Sequence, residues 1–283
     1  MSSQLYHKIQ QFYDASSLLW EQTWGEHMHH GYYGPSGTYR LNRRQAQIEL
    51  VEALLSWAGV SRAACLVDVG CGIGGSTLYL AEKFTAKGIG ITLSPVQSGR
   101  AEQRAVAAGL AGLVRFEVAD ALAMPFAPNS FDLVWSLESG EHMPDKARFL
   151  QECFRVLKPG GTLVMATWCH RGTDSWAGEL TSSEKEHLAA IYQVYCLPYV
   201  ISLGEYEQIA RDCGFLALGT ADWSAAVAPF WQAVMDSAWE LPTFLGILQS
   251  GPETLRGALA LDLMRRGYER GLIRFGLLRG TKA

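Results

Sequence analysis

The run Leu66-Val-Asp-Val-Gly-Cys-Gly-Ile-Gly-Gly75 carries the most specific chemistry in the chain. An apolar strand enters a glycine turn, and a helix-compatible segment, Ser76 to Phe84, leaves it. Glycine lets the backbone turn at positive φ and lets a ligand approach without a Cβ in the way. The amides that open the following helix lack intrahelical acceptors, so they suit a polar or anionic ligand group. The loop therefore predicts a nucleotide-like cofactor at the carboxyl end of this strand. Gly70-x-Gly72-x-x-Gly75 formally satisfies the dinucleotide fingerprint, which also asks for a ribose-binding acid about 20 residues on. No Asp or Glu lies between Lys83 and Ala101, and Thr92 and Leu93 stand where that acid belongs. A nicotinamide dinucleotide is set aside on that ground.

Further reactive groups collect where other strands should end. Asp120 and Ala121 follow a third strand, Ser136, Glu138, Glu141 and His142 a fourth, and His170 a fifth. Ligands of open α/β sheets bind outside the carboxyl ends of the strands. These residues should therefore share a rim with Asp68, with Gly70, Cys71, Gly72 and Gly74, and with Thr92, Leu93 and Gln97. Asp68-x-Gly70-x-Gly72-x-Gly74 resembles motif I of the S-adenosylmethionine-dependent methyltransferases. That resemblance names the cofactor as S-adenosyl-L-methionine, which leaves as S-adenosyl-L-homocysteine. Asp120 could then accept a hydrogen bond from the adenine amine, with Leu93 and Ala121 against the flat base, or it could cap a turn.

The sulfonium methyl is already activated, so an enzyme has mainly to align it with a nucleophile and exclude water. Aromatic faces attract a sulfonium by about 0.5–2 kcal/mol. Tyr13, Trp24, Tyr32 and Tyr33 are candidates to close over the cofactor and acceptor, with ordinary lid packing as the alternative.

Motif I, Ile89–Gln97 and Leu137–Asp145 together resemble the γ-tocopherol C-methyltransferase family. The similarity continues through Phe12–Asp14, Trp24–Gly31, Ala166–Arg171, Thr220–Trp223, Val227–Trp231 and Arg256–Leu259, so it covers nearly the whole chain. The same motifs occur in related N-methyltransferases of plant indole alkaloids. The resemblance implies methylation of a small hydrophobic aromatic acceptor, with γ- to α-tocopherol leading and an N- or O-methylated specialised metabolite as the alternative. Ring C-methylation needs electron density ortho to a hydroxyl, and the ring carbon must afterwards lose a proton. A His or carboxylate can serve either step. His142 is the first candidate base, Glu138 or Glu141 could orient it or act alone, and His170 is the second. Glu138 could equally hold the cofactor, and His142 could be a cap beside Pro144.

His27, His29 and His30 offer no i, i+4 pair and no nearby partner at metal-site spacing, so no metal is expected. Substrate contact, assigned to His29, or lid packing is the reading there. The Trp- and Leu-rich 222–270 segment reads as an apolar cap over the acceptor, with Trp231 in it, or as a dimer face.

Elements must hold these groups in place. Apolar strands are predicted near 64–70, 88–93, 114–119, 131–136, 161–168, 215–221 and 272–278. Helices are predicted over 5–20, 42–57, 75–85, 95–109 and 146–157, with three helical pieces between Pro229, Pro242 and Pro252. The alternation implies a Rossmann-like, doubly wound α/β sheet of about seven strands, mostly parallel. One methyltransferase domain over 1–283 is expected: a helical lid (1–60), a cofactor core (61–170), the rest of the core with helical cap insertions (171–270) and a closing strand (271–283).

The net charge of −4 and the lack of a long basic run argue against nucleic acid. Six cysteines without a Cys-x-x-Cys fit a reducing compartment. No secretory signal, plastid transit segment or 18-residue apolar run is seen. A bacterial-type cytoplasmic protein is expected, without a membrane span but with room for peripheral membrane contact. Oligomeric state is left open.

Overall fold

The computed structural model describes residues 2–173, 176, 178–238 and 252–283. Seven strands form one sheet: β1 (Cys65–Val69), β2 (Lys87–Thr92), β3 (Val114–Val118), β4 (Phe131–Leu137), β5 (Leu157–His170), β6 (Leu216–Asp222) and β7 (Ile273–Thr281). Their spatial order is β3-β2-β1-β4-β5-β7-β6. The first five run parallel, and β7 runs antiparallel between β5 and β6. The doubly wound, mostly parallel expectation holds.

Burial on both faces explains the apolar strands. Leu66, Trp135, Val164 and Trp168 point to one core, and Val67, Val134, Leu163 and Met165 to the other. A strand covered on both sides reads as a continuous apolar run, as β1 and β4 do. The first core lies under α2 (Arg43–Ala58), and the second is closed by α5 (Lys146–Val156). On α5, Phe149, Leu150, Cys153 and Val156 are all fully buried. Helices α3 (Gly75–Phe84) and α4 (Pro95–Ala107) complete the crossovers that keep β1 to β3 parallel.

Four departures have local causes. Helix α1 (Ser2–Trp24) is longer at both ends than the apolar spacing predicted. Strand β5 begins at Leu157, before the Pro-Gly-Gly turn, because Leu157 pairs with Phe131 and a register shift between Phe131 and Leu133 absorbs the extra residues. Helices α6 (Ser182–Val194) and α7 (Leu203–Asp212) occupy a stretch where helical insertions were expected without bounds. Each opens with a capping box, Thr181 with Glu184 and Ser202 with Glu205, a signal legible in sequence. Downstream come α8 (Ser224–Val227), α9 (Pro229–Ala238) and α10 (Pro252–Glu269). Pro242 lies outside the described residues. Among the described residues no helix is long and apolar enough to cross a membrane.

Candidate functional site

Strand order reverses between β1 and β4, and a cleft opens there beyond the carboxyl ends of the strands. Asp68, Gly70, Cys71 and Gly72 line it from β1 and its loop. Thr92, Leu93 and Gln97 come from β2 and α4, and Glu138, Ser139 and His142 from the turn after β4. Helix α1 adds Tyr13, and the segment after it adds His27, Met28 and His29.

The loop is built to bring backbone close to a ligand. Gly70 has φ +83, and a Cβ there would strike the Ser139 side chain. Ser139 in turn donates to the Val69 carbonyl at 2.6 Å and shares a 2.8 Å hydrogen bond with Ser136. Ser136 thus acts on the loop from behind, through Ser139. At Gly72 a Cβ would meet only the Met28 sulfur at 3.8 Å, so the cradle is open on its cleft side. An open glycine cradle beside a carboxylate fits a nucleoside cofactor that also carries a cationic end.

Asp68 is buried and accepts a 2.6 Å hydrogen bond from Thr77 Oγ1. Burial pushes its pKa up to about 7, against the pull of Thr77. Thr92 Oγ1 donates to Gln97 Oε1 at 2.8 Å, and Ser94 caps α4 by accepting from the Gln97 amide at 3.0 Å.

Helix α1 is fastened over this cleft. Tyr13 Oη lies 2.7 Å from His142 Nε2. Burial first, then the charges of Glu141 and Glu138, push the Tyr13 pKa upward, so its hydroxyl keeps its proton and donates to the ring. Burial, then the Lys146 charge, lowers His142 to about 3, so this imidazole is neutral at physiological pH. Its Nδ1 is buried without a partner. Ser94 donates to Asp14, Arg100 pairs with Glu21 at 2.6 Å, and Tyr6 donates to Asp120 at 3.3 Å.

At the cleft wall Glu138 pairs with His30, buried behind it. The Glu138 carboxylate accepts from the His30 backbone amide at 2.6 Å and faces His30 Nδ1 at 2.7 Å. Burial pushes the Glu138 pKa up, but the charge and hydrogen bonds of His30 outweigh it and hold the carboxyl below its usual range. Glu138 sits at φ +54, a conformation that costs a non-glycine residue about 1–3 kcal/mol. The His30 contacts are what hold it there. Gln47, fully buried on α2, positions the histidine segment by donating to the carbonyls of His27 and His29.

Several expected residues lie elsewhere. Asp120 is not among the residues lining the cleft; its carboxylate accepts from the Leu122 amide at 2.8 Å and from Tyr6. Ala121 and Gly74 are likewise behind the wall, Ala121 in the core and Gly74 packed toward Phe116 and Ala101. Glu141 turns to β5, where Thr167 donates to it at 2.7 Å, and burial, then Glu138, raises its pKa to about 7. His170 is 2.6 Å from the Arg171 carbonyl and 3.7 Å from Glu205, tying β5 to α7. Tyr32 stacks on Trp223, Tyr33 is in the core, and Trp231 packs against the ring of His30. Trp24 ends α1, and its side chain lies outside those described.

His29 does reach the cleft, hydrogen bonded to His27 at 3.2 Å, and burial foremost lowers these two to about 3 and about 4. Among the described residues no group of three or more His, Cys, Asp or Glu could hold a metal ion. Ser139, Met28 and Gln47 were not singled out from sequence. Their signal is spatial, since Ser139 meets Val69 across 70 residues.

Residues 67–165 match the family described as "Methyltransferase domain". The chain is 45% identical over 279 residues to the chloroplastic tocopherol O-methyltransferase of Arabidopsis thaliana, covering 95% of this chain and 80% of that protein. It is 35% identical over 272 residues to the 2-methyl-6-phytyl-1,4-hydroquinone methyltransferase of Synechocystis, covering 93% and 83%. Its fold matches geranyl diphosphate methyltransferase, solved with GPP and sinefungin, at a TM-score of 0.78 and 21% identity over 99% of this chain and 100% of that one. The bacterial-type cytoplasmic expectation is corrected by the first of these, which is a chloroplast protein. Targeting segments are read by receptors and leave no mark on the folded domain. Reduced cysteines suit any reducing compartment.

Proposed function

Because the chain belongs to the tocopherol O-methyltransferase family of S-adenosylmethionine-dependent methyltransferases, we propose that it methylates a tocopherol-type phenol on the ring, converting γ- to α-tocopherol. The observation that carries this is likeness to a tocopherol methyltransferase over 95% of the chain, lid and cap included. The relative acting on a phytyl hydroquinone supports the same acceptor class, a phenol with a long lipid tail.

The open cradle at Gly72 and the buried carboxylate of Asp68 support S-adenosyl-L-methionine as the cofactor. When bound, that cofactor supplies an activated methyl on a sulfonium. Gly70, Cys71, Gly72, Thr92, Leu93 and Gln97 would hold it, and Tyr13 on α1 would exclude water from above. His142 is neutral, and because its Nε2 accepts from Tyr13 its ring proton lies on Nδ1, so it can take a proton from the ring carbon after methylation only at Nε2, once the Tyr13 hydroxyl gives way. The whole chain acts as one catalytic unit in this reading. A nitrogen acceptor would need little base catalysis, so a neutral buried imidazole on the cleft favours the phenol. The acceptor's tail partitions into bilayers, so peripheral contact with a membrane surface is part of the proposal.

The test is incubation with S-adenosyl-L-methionine and γ-tocopherol, followed by mass spectrometry and NMR of the product. Appearance of α-tocopherol is expected. No methyl gain on γ-tocopherol, with gain on an indole nitrogen instead, would overturn the acceptor and leave the cofactor standing.

A further inference from the structure

The turn that carries His142 is gripped by a buried cation. Gly140–His142 forms one 3-10 turn after β4. Lys146 opens α5 and is 2% exposed. Its Nζ donates to the Gly140 carbonyl at 2.8 Å and to the Glu141 carbonyl at 3.0 Å. Tyr206 on α7, itself fully buried, donates to the same Gly140 carbonyl at 3.2 Å. Gly140 is pressed against β5, where a Cβ on it would lie 2.7 Å from Met165 Cε and 2.9 Å from Thr167 Oγ1.

Such a lysine is costly. Lysine is rarely fully buried, and a cation in the first turn of a helix meets the positive end of the helix dipole. Burial foremost lowers its pKa to about 7. Helix α5 itself does not need the ammonium. Asp145 caps it by accepting from the Arg148 amide at 2.8 Å, and Phe149, Leu150, Cys153 and Val156 bury its inner face. A methionine would fill the same space without either cost. The His142 ring, by contrast, depends on the turn. Among the described residues Tyr13 is its one hydrogen-bond partner, and Nδ1 has none. Tyr13 has to give way before Nε2 can take a proton. From that moment the backbone of Gly140–His142 is what locates the ring.

We propose that Lys146 is a positioning residue for His142: by gripping the carbonyls of Gly140 and Glu141 it fixes the turn, and so fixes where the imidazole stands when Tyr13 lets go. This rests on the reading of His142 as the base for the ring carbon. Lys146 is not among the residues lining the cleft, so it acts through the turn and not on cofactor or acceptor. The ammonium also acts on the ring through space. After burial, its charge is the next cause that keeps the imidazole neutral and ready to accept. Around the ammonium stand Glu141 on the turn, Cys169 on β5, Tyr206 on α7 and Tyr199, whose ring centroid is 4.9 Å from Nζ. Glu141 is the one acid among them, and Thr167 holds its carboxyl toward β5. Both amine hydrogen bonds therefore go to backbone, which is what a residue that places a turn requires.

The experiment reads the ring directly as well as turnover. Full-length protein with isotope-labelled histidines, saturated with S-adenosyl-L-homocysteine, is followed by NMR of the ring nitrogens. The His142 signals are those lost in His142→Asn, and Tyr13→Phe shows where Nε2 resonates without its hydrogen bond. In Lys146→Met the His142 Nε2 signal should move toward that second position, while the signals of His27, His29 and His30 stay in place. An unmoved His142 signal overturns the proposal, and so does a general shift of all four, which would mean ordinary loosening. Where Lys146→Met does not fold, Lys146→Gln decides in its place, and a wild-type His142 signal there overturns the proposal equally. With γ-tocopherol, Lys146→Met should lower kcat about 10- to 100-fold, the scale of a misplaced catalytic group. In the His142→Asn background the same change should lower it by less than about 2-fold. An equal fall in both backgrounds overturns the positioning role. γ-Tocopherol left unmethylated by wild type, with the His142 signal displaced in Lys146→Met, would overturn the proposed function and keep the positioning role. Methylation with the signal unmoved would do the reverse.

Discussion

Asp68 shows what a single buried carboxyl imposes. Its folded pKa of about 7 lies above the ordinary carboxylate value, so the folded chain holds a proton that the unfolded chain releases. Stability therefore falls as pH rises from the acidic range through about 7, then levels off. Asp68→Asn should lessen that slope and leave the share of Glu141, read from urea unfolding at about pH 5 and about pH 8. A cationic cofactor should ionise Asp68, so binding near neutrality should release a fraction of a proton. Calorimetry in buffers of different ionisation enthalpy measures this, and proton release undiminished in Asp68→Asn would assign it to another group, Glu141 or Lys146. Gly70→Ala should cost about 1–3 kcal/mol through its positive φ, with further loss from the clash with Ser139. Retained cofactor affinity in that variant would contradict the close-approach role. Asp68 and the glycines were legible because their signal is local spacing. His30 was not, because its carboxylate lies 108 residues away and its aromatic shell comes from four distant elements.

Elements respond more gently. Helix α1 is tied down by contacts at Tyr6, Tyr13, Asp14 and Glu21, each made to a different part of the rim. Removing one hydrogen bond costs about 0.5–1.5 kcal/mol, so Tyr13→Phe should speed S-adenosyl-L-homocysteine release roughly 2- to 10-fold without unfolding the domain. Stopped-flow displacement would measure it; an unchanged rate would mean that α1 does not gate the cleft. The Arg100–Glu21 pair is partly exposed and should contribute about 0–1 kcal/mol. Thr181→Ala should lower stability by about 0.5–2 kcal/mol, since Thr181 accepts from the Glu184 amide at the start of α6. Helices α6 and α7 escaped the reading of periodicity because each buries only two residues, so neither shows a full apolar stripe. Their caps, being local, were the better signal.

At the scale of the molecule, the alternation of apolar strands and amphipathic helices announced the parallel half of the sheet. Nothing in a strand's own residues says which neighbour it will choose, so the position of β7 between β5 and β6 had to come from the structure. It follows that β6 is joined to the rest of the sheet through β7. Deleting Ile273–Thr281 should therefore abolish cooperative thermal unfolding and cofactor binding together, and a sharp calorimetric transition in the truncated chain would refute it. The same topology bears on how the protein is made. Strand β6 and the cap helices are synthesised before β7, and until β7 arrives β6 has no edge to pair with and the cap no completed sheet to cover. The nascent chain must carry that apolar surface uncovered, which makes this protein a natural client for chaperones during synthesis.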